Sequence, residues 1–291
     1  MKKIFSAILS SALVLSLAAC GSKTITMQEI YDACQLDTML ENHENVRIQH
    51  TIDDTPYTDM YLTKEFSYEH IYYDTESWAF YMTDDSYYTY QDDSYHGLIL
   101  LDENGLFDKA SYRAEYYSSP MLDSLTLSED IQSVTTKDGR ITVTTVMSQE
   151  VLEEENIEEE GLISNSLEYV MDAKTLTPIQ SGGVLNYDDG PNFKYDFTCT
   201  YDEDLPAELQ GFLALDQQTE DLRTITLVFH SETGEETTAS VQFPKGLPTG
   251  LTTIYGEIDE FEIYADAACT EPLVNSGDYT IDTTIHVKWI G

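Results

Sequence analysis

Cys20 is the residue whose position most clearly implies chemistry. It follows a segment that opens with Lys2 and Lys3 and continues over residues 4–17 as an apolar run that only serines interrupt. This run is too short to span a bilayer comfortably, but it fits the hydrophobic core of a secretory signal peptide. Two alanines stand directly before the cysteine, and small residues there are typical of a cleavage site. The sequence therefore predicts export, with a thiol at the point of cleavage.

The tetrad Leu-Ala-Ala-Cys at residues 17–20 resembles the lipobox of bacterial lipoproteins. The resemblance implies that residues 1–19 form a lipoprotein signal peptide and that the Cys20 thiol receives acyl chains such as palmitate. Residues 20–24 would then be a lipidated tether at the extracytoplasmic face of the bacterial cell membrane. The alternatives are an ordinary secretory signal cut at an Ala-x-Ala site and a plain N-terminal membrane anchor.

Catalytic motifs are absent from the rest of the sequence. There is no Gly-x-Ser-x-Gly, no phosphate loop and no His-Glu-x-x-His, and the six histidines are scattered without a local partner. Because the chain has 54 acidic residues, pairs of carboxylates are common in it, and such a pair does not indicate a glycoside hydrolase. We therefore expect no enzyme, no metal and no cofactor, with an envelope glycan hydrolase as the remote alternative.

The chain is strongly acidic, with a formal net charge of −40. Such a surface repels the phosphates of nucleic acids and of anionic lipids, because binding to them depends on Lys and Arg. We therefore expect no nucleic-acid partner. Attachment to the membrane would depend on the N-terminal lipid alone, for which two or more acyl chains suffice.

Three cysteines remain beyond Cys20: Cys34, Cys199 and Cys269. An odd number at wide spacing is not a disulfide framework, and no spacing typical of a zinc site occurs. We expect three quiet thiols, with a Cys34–Cys199 pair as the open alternative.

Residues 27–41 are predicted to form an amphipathic helix. Thr26 and Glu29 have the spacing of a capping box, and Ile25 and Ile30 occupy the positions of a hydrophobic staple. From residue 45 the apolar period changes to two, and strand-like runs alternate with Asp-rich turns through residue 201. The clearest hairpin has Asp138 and Gly139 at its turn. The fold class is therefore α+β, mainly antiparallel β, with an N-terminal helix and short lid helices.

The run Glu153–Glu160 contains six glutamates and reads as a marginal, solvated helix. Like charges four residues apart each cost about 0.2–0.5 kcal/mol in such a helix. A charged exposed face is the better interpretation than a metal site.

The order of elements over residues 25–210 resembles the lipoprotein-carrier superfamily, the LolA/LppX-like half-barrels. The resemblance depends on the capped helix, the long meander, the strand-turn-strand at 168–179 and the exit at 201–206. It implies a curved half-barrel sheet around an apolar groove that holds acyl chains or a lipidated client protein.

The high tyrosine content of the predicted strands departs from the pattern expected of a lipid-binding half-barrel. Ten tyrosines lie between residues 57 and 95, whereas a groove for bare acyl chains favours Leu, Ile, Val and Phe. Because tyrosine has a hydroxyl that seeks a partner, this concavity suits an amphipathic ligand, a glycan or a peptide. The alternative is that tyrosines are simply good strand formers. The candidates for groove-lining residues are Trp78, Phe80, Met82, Tyr88 and Tyr90.

Residues 223–291 resemble the Listeria–Bacteroides repeat, the internalin B-repeat. The resemblance rests on the segment 261–273 and on the terminal run 282–289, with His286 where that family usually has a tyrosine. It implies a small β-grasp-like module in which Trp289 covers a core of Leu227, Phe229, Val241 and Phe243. Residues 211–222 would be the linker to the half-barrel domain.

Together these observations predict a surface-anchored bacterial lipoprotein that binds a hydrophobic or amphipathic ligand, or a lipidated client, in the half-barrel groove. The alternative is an adhesion or protein-interaction lipoprotein without a small-molecule ligand. Its extracellular partner would be a protein or a glycan.

Overall fold

The computed structural model describes residues 25–72, 77–118, 130–148, 162–188, 190, 192–231, 234–254, 260–273, 279 and 281–290. The predicted signal peptide, the predicted lipidation site Cys20 and the run Glu153–Glu160 lie outside the described residues. Within the described ranges, no helix has the length and apolar character needed to cross a membrane.

The first helical segment begins as predicted and ends earlier. The capping box between Thr26 and Glu29 is present at the start of α1 (Met27–Ala33), and a second short helix, α2 (Leu36–Met39), follows. The prediction of one helix over residues 27–41 is wrong, because Gln35 between the two has extended backbone angles. The Leu36 amide donates to the carbonyl of Ser118, 2.7 Å away, so this tertiary bond accompanies the break.

Most strands belong to one open, mainly antiparallel sheet of thirteen strands. Two meanders meet where β1 pairs with β12, so the spatial order is β15-β6-β5-β4-β3-β2-β1-β12-β11-β10-β9-β8, with β7 beside β6. Its strands are β1 (Val46–Ile52), β2 (Thr55–Leu62), β3 (Ser67–Tyr72), β4 (Ser77–Met82), β5 (Tyr87–Gln91), β6 (Ser94–Asp102), β7 (Gly105–Leu106), β8 (Asp130–Lys137), β9 (Arg140–Ser148), β10 (Leu162–Asp172), β11 (Pro178–Tyr187), β12 (Phe193–Tyr201) and β15 (Thr249–Thr253).

The tight turns of this sheet use aspartate in the left-handed region of backbone space. Asp53 and Asp54 join β1 to β2, and Asp92 and Asp93 join β5 to β6, all with positive φ. Asp and Asn tolerate this conformation better than other side chains, and it matches the twist of a two-residue hairpin. The hairpin predicted at Asp138 is confirmed as β8–β9.

A second, mixed sheet follows in the order β14-β13-β17-β16, with β13 and β17 parallel at its centre. Its strands are β13 (Leu222–His230), β14 (Glu236–Pro244), β16 (Phe261–Tyr264) and β17 (Thr283–Trp289). Trp289 packs in one cluster with Leu227 and Phe243, as predicted.

The two faces of the large sheet have different coverings. We call them the α1 face, which α1 and α2 cover in part, and the α4 face, which α4 (Ala207–Asp216) and the second sheet cover in part. Tyr68, Tyr81 and Tyr88 lie on the α4 face and share one core with Phe212 of α4 and Ile225 of β13.

Arg223 joins the second sheet to the edge of the large sheet. This buried side chain donates to the carbonyl of Leu247, 2.7 Å away, and to the hydroxyl of Thr249. Thr249 opens β15, which pairs in parallel with β6 through Thr249 and Gly97. Burial lowers the pKa of the Arg223 guanidinium.

The predicted linker and C-terminal module are both in contact with the large sheet or with the elements that pack on it. The predicted linker 211–222 contains the second half of α4 and the first residue of β13. The predicted module 223–291 contributes β15 to the large sheet and shares its core. The division into two domains stays a prediction.

Gly211 allows α4 to approach the large sheet closely. A Cβ atom there would overlap the hydroxyl and ring of Tyr95, which donates to the Glu208 carbonyl at 3.0 Å. Gly→Ala in a helix interior ordinarily stabilises by about 0.5–1 kcal/mol. We expect Gly211→Ala instead to destabilise the protein by about 1–3 kcal/mol in urea unfolding, because overpacking forces side chains apart.

Ala214→Gly is the matched control, since Ala214 is an exposed position on the same helix. It should cost only the ordinary helix penalty of about 0.5–1 kcal/mol. A Gly211→Ala variant more stable than the parent protein would contradict the close approach of α4 to Tyr95.

Candidate ligand-binding site

A recess of about 180 Å³ lies on the α1 face, between β3–β5 and the helix α3 (Lys109–Tyr116). Its floor comes from alternate residues of the strands, because side chains two apart on a strand share a face. Its lining combines four apolar side chains with four tyrosines, one serine and one glutamate. The lining residues are Ser67, Glu69, Ile71, Phe80, Met82, Tyr87, Tyr112, Tyr116, Tyr117 and Ile254.

Helix α3 is fixed over this floor by polar contacts at its start and middle. Asp108 caps the helix by accepting from the Ser111 amide at 3.1 Å. Arg113 donates to the Asp84 carboxylate at 2.7 Å and to the Lys64 carbonyl at 3.1 Å. These bonds tie α3 to the β2–β3 and β4–β5 turns, so the tyrosines on α3 are held over the sheet.

Glu69 gives the recess one acidic position. The hydroxyl of Tyr117 lies 3.4 Å from the Glu69 carboxylate, at the long end of a hydrogen bond. Burial raises the pKa of Tyr117 and of Tyr87, and the negative charge of Glu69 raises both further. Both phenols therefore stay protonated at neutral pH and act as hydrogen-bond donors.

The neighbouring parts of the α1 face are filled by the protein itself. Met39 and Leu40 pack on Val46 and Ile48 of β1, while Ile30 of α1 packs in a cluster with β9 and β10. Chemically, the recess suits an apolar group with a polar end. Among the described residues, no three His, Cys, Asp or Glu side chains are arranged to hold a metal ion.

The structure separates the five predicted groove residues into two sets. Trp78, Phe80 and Met82 lie on the α1 face, where Phe80 and Met82 line the recess and Trp78 stacks beside Phe80 at 6.2 Å. Tyr88 and Tyr90 lie on the α4 face, since Tyr88 pairs with Tyr81 and Tyr90 with Ala79. These two tyrosines therefore do not line the same groove, and Tyr88 packs against Phe212 and Phe243.

Sequence reasoning missed Tyr87, Glu69 and the tyrosines of α3. The length of the β4–β5 turn could have predicted the register of these strands. Four residues separate Met82 from Tyr87, and these two residues pair directly, so their side chains share a face. Helix α3 had a signal too, because Asp108 stands three residues before Ser111 in the spacing of an N-cap.

Comparisons with known proteins give a distant likeness. No family model and no curated protein matches the chain. The Mycobacterium tuberculosis lipoprotein LppX is 10% identical with a TM-score of 0.37, covering 62% of this chain and 98% of that one. LprF from Mycobacterium bovis is 13% identical with a TM-score of 0.35, covering 64% and 97%. The LolA superfamily protein NE2245 from Nitrosomonas europaea is 9% identical with a TM-score of 0.25, covering 64% and 97%.

All three TM-scores lie below 0.5, so the likeness to these structures is distant. The lipoprotein-carrier resemblance over residues 25–210 stays a prediction. The B-repeat-like interpretation of residues 223–291 stays a prediction.

The three thiols beyond Cys20 differ in exposure. Cys34 of the α1 segment and Cys199 of β12 are buried, Cys269 is half-buried, and all three are free. Burial raises the pKa of the Cys34 thiol to about 12 and also raises that of Cys199. A thiol with that pKa is about one part in ten thousand ionised at pH 8, and the thiolate is the reactive form.

We expect Ellman's reagent at pH 8 to label only Cys269 in the folded chain beginning at residue 22, and to label all three thiols after unfolding in guanidinium. Burial blocks the other two thiols and keeps them protonated. Cys269→Ser is the control and should abolish the native signal. If unfolding without reductant releases only one thiol, Cys34 and Cys199 are joined by a disulfide, contrary to the structure.

Proposed function

We propose that this protein is a lipid-anchored binding protein of the bacterial cell envelope that holds a hydrophobic or amphipathic ligand on the α1 face of its large sheet. The observation that carries the proposal is the aromatic recess between Phe80, Tyr87 and helix α3. Ligand sites are typically concave, mostly apolar and equipped with a few polar groups that set orientation. This recess has that composition.

The ligand we propose is amphipathic rather than purely aliphatic. Apolar surface from Ile71, Phe80 and Met82 would bury an acyl or ring portion. Burial of apolar area contributes about 25 cal/mol per Å². The tyrosine hydroxyls and Glu69 offer donors and an acceptor to a polar group, and the Glu69 charge favours a neutral or cationic head over an anionic one.

The recess is small for a complete lipid. Typical ligand pockets enclose about 300–1,000 Å³, whereas the described residues line about 180 Å³. We propose that this recess holds one end of the ligand. Binding of a lipidated client is the same proposal with the acyl group attached to a protein. No catalytic role is proposed.

Ligand binding is tested by native mass spectrometry, with organic extraction, of residues 22–291 produced without lipidation in a bacterial host. We expect a co-purifying amphiphile of defined mass. Phe80→Ala should reduce its occupancy at least fivefold, because it removes the ring at the centre of the recess floor. Tyr90→Ala is the matched control: Tyr90 is also half-buried and lies on the adjacent strand, but on the opposite face.

Trp78 provides a second readout. The chain has two tryptophans, so Trp289→Phe leaves Trp78 as the only reporter beside Phe80. The fluorescence emission of Trp78 should change on titration with a neutral monoacylglycerol. It should change less with palmitate, because the negative charge of Glu69 repels the palmitate carboxylate. A clean apo mass and an unresponsive Trp78 would exclude this site and favour the adhesion alternative.

Membrane attachment is tested separately with Cys20→Ala. If the thiol carries the anchor, the variant should leave the membrane fraction for the medium or accumulate as the uncleaved chain. Cys269→Ala is the control and should fractionate like the parent protein. Unchanged fractionation and processing of Cys20→Ala would remove the lipid anchor from the proposal.

A further inference from the structure

A second recess lies on the other face of the large sheet. It encloses about 560 Å³, a volume within the usual range for ligand pockets. It sits over β1, β2 and β12, beyond the part of the α4 face that α4 covers. Its lining residues are Arg47, Gln49, His50, Thr51, Thr55, Pro56, Thr58, Asp59, Tyr72 and Thr198.

The register places the polar centre of this recess on the α4 face. Gln49 pairs with Asp59 on one side and with Thr198 on the other, so these three side chains share a face. Arg47 pairs with Tyr61, a member of the α4-face core, and lies on that face too. The β-bulge between His50 and Thr51 interrupts the register at the end of the recess. Bulges of this kind often re-aim side chains beside functional sites.

Arg47 and Asp59 form a fixed, electrically neutral pair on the floor. Arg47 donates from Nε to Asp59 at 2.9 Å and from Nη2 at 2.6 Å, which is the bidentate geometry. The guanidinium also lies over the Tyr61 ring at 5.3 Å. A guanidinium has five N–H donors, and the pair uses two of them. The floor is thus preorganised and polar without net charge, in a chain whose overall charge is −40.

Tyr72 supplies an aromatic wall. Its ring stacks on His70 with the centroids 4.4 Å apart and an interplanar angle of 18°. The residue is still 38% exposed. The stack sets the orientation of the ring, so its position beside the polar floor does not depend on a ligand.

Three ligand classes fit this recess poorly. An acyl chain would desolvate the amide, hydroxyl and charged groups of the floor without replacing their hydrogen bonds. A peptide added as an extra strand needs an unpaired sheet edge, and β1, β2 and β12 are each paired on both edges. A polyanion would be repelled by the acidic chain, whose formal net charge is −40.

A neutral oligosaccharide fits on all counts. Its hydroxyls both donate and accept, matching the amide of Gln49, the Arg47–Asp59 pair and the surrounding threonines. Its ring C–H surface matches an aromatic face such as that of Tyr72. We propose that this recess is a binding site for a neutral oligosaccharide. The site is separate from the acyl-type site on the α1 face.

The test is isothermal titration calorimetry of residues 22–291 with three neutral probes: chitotetraose, cellotetraose and maltotetraose. We expect at least one to bind with a Kd below about 1 mM. Tyr72→Ala should weaken that binding at least tenfold, and Gln49→Ala, at an exposed position, at least threefold. Tyr116→Ala removes a tyrosine that is 53% exposed on the α1-face side and should leave the Kd unchanged.

Two outcomes overturn the proposal. One is the absence of binding heat with all three probes, and the other is a Kd that Tyr72→Ala and Gln49→Ala both leave unchanged. Far-UV circular dichroism of each variant confirms that it is folded. The amphiphile that co-purifies with the parent protein should be retained by Tyr72→Ala, so failure of this site and failure of the α1-face site give different results.

Discussion

The packing of Phe212 of α4 against the tyrosines of the large sheet covers one face of that sheet and leaves the proposed ligand binding to the other face of the same strands. This fully buried ring stacks on Tyr81 at 5.6 Å and meets Tyr95 edge-on at 5.0 Å. Aromatic pairs in these geometries contribute about 0.5–1.5 kcal/mol each beyond the area they bury. Because α4 and the second sheet occupy this side of β3–β6, the tyrosines there are core residues. The opposite side of the same strands keeps the open aromatic recess.

This division explains why the tyrosine-rich segment has two roles. Along β4, Ala79 and Tyr81 turn towards α4, whereas Phe80 and Met82 turn towards α3. A strand with both faces apolar is buried on both, as in the centre of a layered fold. The abundance of tyrosine therefore reflects a sheet covered by different elements on its two sides. It does not mark a single groove lined by every ring.

Local features were predictable from the sequence, and long-range ones were not. The capping box at Thr26 and the hairpin at Asp138 follow from contacts a few residues apart. The break after α1 involves a bond to Ser118, and β15 forms only through its parallel pairing with β6. For the site, the five groove candidates stay a prediction, and the strand register places Phe80 and Met82 on one face and Tyr88 and Tyr90 on the other. Alternation along a strand identifies the residues that share a face of the sheet. Which face stays open depends on the helices and strands that pack on the sheet, and these come from distant parts of the chain.

The two recesses differ in the chemistry of their lining because they occupy different parts of the same sheet. Around Phe80, strands β3–β5 lie between α4 and α3, and the floor is mainly apolar and aromatic, with Ser67 and Glu69 of β3 within it. Around Arg47, strands β1 and β12 lie beyond α4, so the α4 face there is solvated and carries polar side chains. A single sheet thus presents a largely apolar, aromatic recess and a polar recess on opposite sides. No lining residue is common to the two.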